Sequence, residues 1–144
     1  MKSKGFTLAE LLVVIALIGI SAAAFIPLSR ALQNKNDITS VADIISQNLR
    51  RAQALSQSVD GDTTWGVHFQ TGSVTLFQGP NYIGRNINFD EVFSISPKVN
   101  FTGGIQEVVY SKLKGEPNST GNINISLNSE TKNININAKG ILTY

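Results

Sequence analysis

The sequence predicts an α+β protein: a long N-terminal helix, apolar in its first part and amphipathic in its second, packed on an antiparallel β-domain. Three observations predict it. Residues 6–28 form an almost unbroken apolar run. Residues 38–59 repeat apolar side chains at spacings of three and four, the period of one helix face. From Trp65 onward the period falls to two, as it does in half-buried antiparallel strands. A chain of 144 residues has room for one small globular domain beyond the apolar run.

As one helix, residues 6–27 span about 33 Å at about 1.5 Å per residue, enough to cross a bilayer core of about 30 Å once. Lys2 and Lys4 precede the run, so the positive-inside rule puts the N-terminus in the cytoplasm and the rest of the chain outside it. The only ionisable side chain from Phe6 to Leu28 is Glu10. A carboxylate inside a membrane helix is costly and is a functional candidate by default. A cleaved secretory signal peptide is the competing interpretation, with Leu11 to Ile20 as its core and a cut near Ser21-Ala22-Ala23-Ala24. Such a core has no reason to carry Glu10.

The segment Gly5-Phe6-Thr7-Leu8-Ala9-Glu10, preceded by Met1-Lys2-Ser3-Lys4, resembles the processing and methylation signal of type IV pilins and type II secretion pseudopilins. The resemblance implies that a prepilin peptidase cuts after Gly5 on the cytoplasmic side and methylates the new N-terminal Phe6. It implies a pilin-like fold, an inner-membrane anchor that later becomes the core of a helical filament, and copies of this chain and other pilins as partners. No cofactor or metal is implied. Once the cut is made, the natural partner of Glu10 is the Phe6 amine of an adjacent subunit, because its own lies too near in sequence to be well placed. Pro27 removes a backbone donor and should kink or locally melt the helix, and pilins often carry a proline at this distance from the cut. Pro27 marking the membrane exit is the plainer alternative. The resulting division is a leader at 1–5, a membrane and filament-core helix at 6–28, an amphipathic helix at 29–60 and a β-domain at 61–144.

In the amphipathic helix, Ile38, Val41, Ile45, Leu49, Ala52, Leu55 and Val59 share one face. The polar segment Gln33-Asn34-Lys35-Asn36-Asp37 either interrupts the helix, with Asp37 or Thr39 capping a restart, or stays helical and exposed. Asp60-Gly61-Asp62 is the expected stop, since glycine accepts the left-handed conformation of many helix ends. Clear strands are 65–69, 122–128 and 133–137. Weaker ones are 73–78, 82–89, 92–95, 99–101, 106–112 and 141–144. Turn signals at Thr71-Gly72, Gly79-Pro80-Asn81, Gly103-Gly104, Gly115-Glu116-Pro117-Asn118 and Lys139-Gly140 separate them. Asn48-Leu49-Arg50-Arg51-Ala52-Gln53-Ala54-Leu55, a turn, and Trp65-Gly66-Val67-His68-Phe69 together resemble minor pilins of the H-type pseudopilin group, although helices of this kind also occur in major pilins.

The formal charge is +2, from 12 basic and 10 acidic side chains. Losing Met1 to Gly5 removes Lys2 and Lys4, which leaves 10 against 10 and a formally neutral mature chain. Basicity then gives no support to a general nucleic-acid binder. With no cysteine, an exported domain must be held by packing rather than disulfides. Many Gram-negative pilins close a C-terminal loop with a disulfide, so this chain departs from their pattern.

No enzyme motif is present: there is neither a Gly-x-Ser-x-Gly elbow nor a His-Glu-x-x-His pair. His68, the single histidine, falls on the polar side of its strand, where solvation is the expected state. The glycine spacing at 79–84 imitates a phosphate loop but lacks the following Lys and Ser or Thr, so it is expected to connect strands. Asn100-Phe101-Thr102, Asn118-Ser119-Thr120 and Asn124-Ile125-Ser126 match the N-glycosylation pattern as an Asn-rich chain does by chance. Asp60/Asp62 and Asp90/Glu91 lack the ligand density of a calcium loop. The expected function is that of a structural filament subunit, not an enzyme. A minor pilin acting as a tip-binding module, for example in DNA uptake, is the alternative; Arg85, Lys98, Lys112, Lys114, Lys132 and Lys139 are spread without clustering, so strong nucleic-acid binding is not expected.

Overall fold

The computed structural model describes residues 5–144, and the side chains of residues 23–31 lie outside that description. The chain falls into two compact units, one ending at Gln33 and the other Asn34–Tyr144. A single helix, α1 (Leu8–Gln57), contributes to both. The polar segment 33–37 remains helical, and the Thr39 hydroxyl donates to the Lys35 carbonyl at 2.8 Å instead of capping a new start. Nothing forces a break there, because polar side chains directed to water do not disturb the helical backbone ladder.

The helix stops earlier than its glycine signal. Ser58 N–H donates to Ala54 O at 2.9 Å, and Val59 then takes φ 56° and ψ 36°. A β-branched residue in the left-handed region is uncommon. Gly61, at φ 68°, continues the reversal inside the short 3₁₀ turn Asp60–Asp62.

Within the unit Asn34–Tyr144, eight strands form two antiparallel sheets. The first, in order β3 (Glu91–Ser94), β2 (Ser73–Gln78), β1 (Trp65–Gln70), β5 (Glu107–Tyr110), is built on a hairpin whose Thr71-Gly72 turn has Gly72 at φ 87°. The second has the order β4 (Asn100–Thr102), β6 (Gly121–Leu127), β7 (Glu130–Ile136), β8 (Leu142–Thr143). Its central hairpin turns at Asn128-Ser129, with Asn128 at φ 54°, a conformation asparagine accepts more readily than most residues. The 82–89 strand expected from sequence is instead a loop containing a 3₁₀ turn, Ile87–Phe89, capped by the Asn86 side chain.

One core joins helix and sheets. Ile38, Val41, Ala42, Ile45, Leu49 and Ala52 of α1 are buried against Val67 and Phe69 of β1, Val108 and Tyr110 of β5, and Ile123, Ile125, Ile134 and Ile136 of the second sheet. Phe69 meets Phe101 of β4 at 5.8 Å between ring centroids. Loops near the domain's end are tied to the helix by amides: Gln53 Nε2 donates to the carbonyls of Gly115 at 2.9 Å and Lys139 at 3.0 Å.

The outer faces of the two sheets differ. On the first, β2 is buried throughout, although its alternation allows only one face toward the core. The loop 79–90 supplies the second cover, with Tyr82 edge-on to Phe77 at 5.7 Å. Gly66, opposite Phe77, leaves room for that ring. On the second sheet, the pairing sets rows of polar side chains across the strands: Asn100 beside Ser126 and Thr131, Thr102 beside Asn124 and Asn133, and Asn122 beside Asn135 and Thr143.

Candidate processing and assembly site

Gly5 and Phe6 lie outside the helix and are exposed, Phe6 to 85% of its surface. Thr7 occupies the cap position. Its N–H and hydroxyl donate to Glu10 Oε2 at 3.1 and 3.0 Å, while Glu10 N–H donates to Thr7 Oγ1 at 3.3 Å. This is a reciprocal capping box, Thr-x-x-Glu, satisfying backbone donors that a helix start otherwise leaves unpaired. It fixes the first turn at Leu8 and keeps the Gly5–Phe6 peptide bond in non-helical chain.

Beyond the cap, Leu8, Leu11, Leu12, Leu17, Ile18 and Ile20 all stand exposed, on every side of the helix. A helix apolar all round is the kind found buried in a large core or a membrane. Among the described residues, no helix is long and apolar enough to cross a membrane. The described apolar part, 8–22, is about 22 Å long, and the remainder of the run enters residues whose side chains are not described. The backbone stays helical through Pro27, while its side chain and the expected kink lie outside the described residues.

His68 departs from expectation. It is half-buried, stacked flat on Tyr82 at 3.7 Å between centroids and 6° between planes. Arg85 also lies 3.7 Å from the centre of the Tyr82 ring, so imidazole and guanidinium occupy opposite faces. Burial holds the His68 pKa below its ordinary value; Glu107, directly opposite on β5, works against that and Arg85 works with it. Strand alternation correctly assigned the face of His68 but carried no sign of the loop that folds over it. A polar cleft of about 400 Å³ opens here, lined by His68, Tyr82, Gln106, Glu107 and Asn118 among others. The Glu107 carboxylate accepts the Tyr82 N–H at 2.9 Å.

Three of the six basic side chains of the β-domain are engaged in ion pairs. Arg85 pairs with Asp90 at 2.8 Å, Lys112 with Asp62 at 3.0 Å and Lys139 with Glu116 at 2.9 Å. These pairs also use acids from both pairs considered as calcium ligands, and among the described residues no cluster could hold a metal ion.

The family model that matches is the prokaryotic N-terminal methylation motif, over residues 1–26. The chain carries an N-terminal methylation motif. The match supports the type IV pilin and pseudopilin family, whose subunits are structural. It ends before Asn48, so the H-type resemblance of the later helix and first strand receives no confirmation from it. A search of curated proteins and one of solved structures each found no match. The prepilin motif includes the capping box, a signal present as Thr7-x-x-Glu10 that interpreting Glu10 only as a membrane charge overlooks.

Proposed function

We propose that this chain is a structural subunit of a type IV pilus or a type II secretion pseudopilus. Prepilin peptidase hydrolyses the Gly5–Phe6 bond, leaving Gly5 with a carboxylate and Phe6 with an ammonium group that is then methylated. The retained helix anchors the subunit once in the inner membrane, with its β-domain outside the cytoplasm, and later packs against the helices of other subunits. The carrying observation is the apolar helix exposed on all sides, beginning at a cap whose acidic member is its only charge before residue 29. Among the described residues, Glu10 Oε1 has no hydrogen bond, since both bonds from Thr7 end on Oε2. That oxygen can accept the Phe6 amine of an adjacent subunit while the cap persists, and Pro27 supplies the bend that lets the helix curve inside the filament.

Intact-mass and N-terminal analysis of native protein should find chains beginning at methylated Phe6. A mature start at Ala24 or Phe25 would establish the signal-peptide alternative. Glu10→Ala should be cleaved and reach the membrane at wild-type level, yet enter sheared filaments poorly in competition with the native subunit. Equal incorporation would remove the pairing role.

A further inference from the structure

The outer face of the second sheet breaks a local rule. Asparagine is depleted in strands because its side chain competes for backbone hydrogen bonds, yet five of the nine positions in the three cross-strand rows are asparagine. The other four are serine or threonine, and none is charged or aromatic. Charged residues make up 15% of the chain, which would place about one among nine positions, so the excess of asparagine is the stronger departure. The amides also order one another: Asn135 Nδ2 donates to Asn122 Oδ1 at 2.7 Å. Departures from local propensity without a packing gain mark functional positions.

We infer that this face is a docking surface for a neutral, hydroxyl-rich polysaccharide. Asparagine, serine and threonine each present both donors and acceptors, as sugar hydroxyls do. The rows are about 7 Å apart along the strands and their members about 4.8 Å apart across them; because two rows run β4–β6–β7 and the third β6–β7–β8, the array is about 14 Å long and staggered over about 14 Å of width. Such an area covers a few sugar rings. Other occupants fit less well. A nucleic acid needs cations to displace its counterions, and a stable protein interface is anchored by aromatic or arginine side chains in its centre; the rows have neither. A charged glycan would meet no opposite charge. Contact through hydrogen bonds alone is weak for one copy and strengthens when copies are arrayed. The single-copy interaction itself is independent of the filament reading, because all nine residues belong to the unit Asn34–Tyr144.

The test uses the full chain in detergent micelles, applied to microcrystalline cellulose and to chitin as neutral probes. The wild type should be retained on at least one, with retention unchanged between 50 and 500 mM salt and competed by soluble oligosaccharide of the same sugar. Asn133→Asp, on β7 between the row members Thr131 and Asn135, should lower retention about tenfold. Asn88→Asp makes the same chemical change on an exposed site outside the rows and should leave retention as it is. Unchanged circular dichroism melting of Asn133→Asp separates lost binding from lost fold; if it unfolds, Thr143→Glu at the sheet's edge replaces it. No retention on either probe, retention that falls with salt, or equal loss in both Asn variants overturns the inference.

Discussion

Gly66→Ala offers a sharp test of the covered outer face. The residue sits in β1, flanked by Phe77 and Val109, and needs no special backbone angle; space is what it supplies. A Cβ built there would lie 2.6 Å from Phe77 Cζ, 2.8 Å from the Val108 backbone oxygen and 3.0 Å from Val109 Cγ2. Ordinary contact starts near 3.4 Å, so the shortfalls are about 0.8 and 0.6 Å at the first two. Phe77 is fully buried under Tyr82, and the Val108 oxygen belongs to a paired strand, so neither moves alone. Overpacking of this kind costs about 1–3 kcal/mol, against a gain of about 0.4–1 kcal/mol from the less flexible unfolded chain. The net loss is about 1–2 kcal/mol, which for a unit of this size lowers Tm by roughly 4–8 °C. Thermal unfolding of the full chain in detergent, followed by the near-ultraviolet signal of Trp65, measures it. Phe77→Leu should couple to the change, the double variant losing about 0.5–1 kcal/mol less than the sum of the singles. An unchanged or raised Tm for Gly66→Ala, or strict additivity, would refute the packing argument.

Two further outcomes follow from contacts around that core. His68 has a depressed pKa in the folded state, so the folded chain binds fewer protons than the unfolded one below about pH 6.5; its contribution is present above that pH and is lost as pH falls through the folded value. Tm should therefore drop between pH 7.5 and 5.5, above the range where carboxylates titrate, and His68→Gln should shrink the drop; an equal drop in the variant would rule out His68 as its source. Gln53→Ala removes two hydrogen bonds to loop carbonyls and should cost about 1–2 kcal/mol, with hydrogen exchange accelerating at residues 112–116 and 138–141; unchanged exchange there would deny the amide its clamping role.

Much of this architecture was legible because its signals are periodic. The face from Ile38 to Ala52 and the alternations at 65–69, 122–128 and 133–137 each name the side chains that the core contains. What escaped was layered on top of that periodicity. The pattern of 73–78 gives no hint that both faces are buried, since the second cover comes from a loop whose Tyr82 and Arg85 look like ordinary polar-loop residues. The same loop resembles a weak strand because Tyr82, Ile83, Ile87 and Phe89 are strand-forming types, but Gly79-Pro80 and Gly84 bend it first. His68 was assigned to its correct face and to the wrong environment for that reason. At the N-terminus, the cap is written in the sequence as Thr7-x-x-Glu10, where one carboxylate serves both as a membrane charge and as a helix start.

The clamp at Gln53 has a consequence for how the domain closes. The chain has no cysteine, and the loops at Gly115 and Lys139 are tied to the helix by hydrogen bonds instead, with the Gln53 amide bridging both and Gln57 Nε2 and the Ser56 carbonyl adding bonds to Lys114 and Leu113. A disulfide in that position would wait for an oxidant and for reshuffling on a scale of seconds to hours. An amide finds its carbonyls as soon as helix and loops meet, and releases them as quickly if they meet wrongly. Closure of these loops is thus indifferent to redox potential: reductant neither opens them nor delays them, and the domain reaches the same closed state whether or not its compartment makes disulfides.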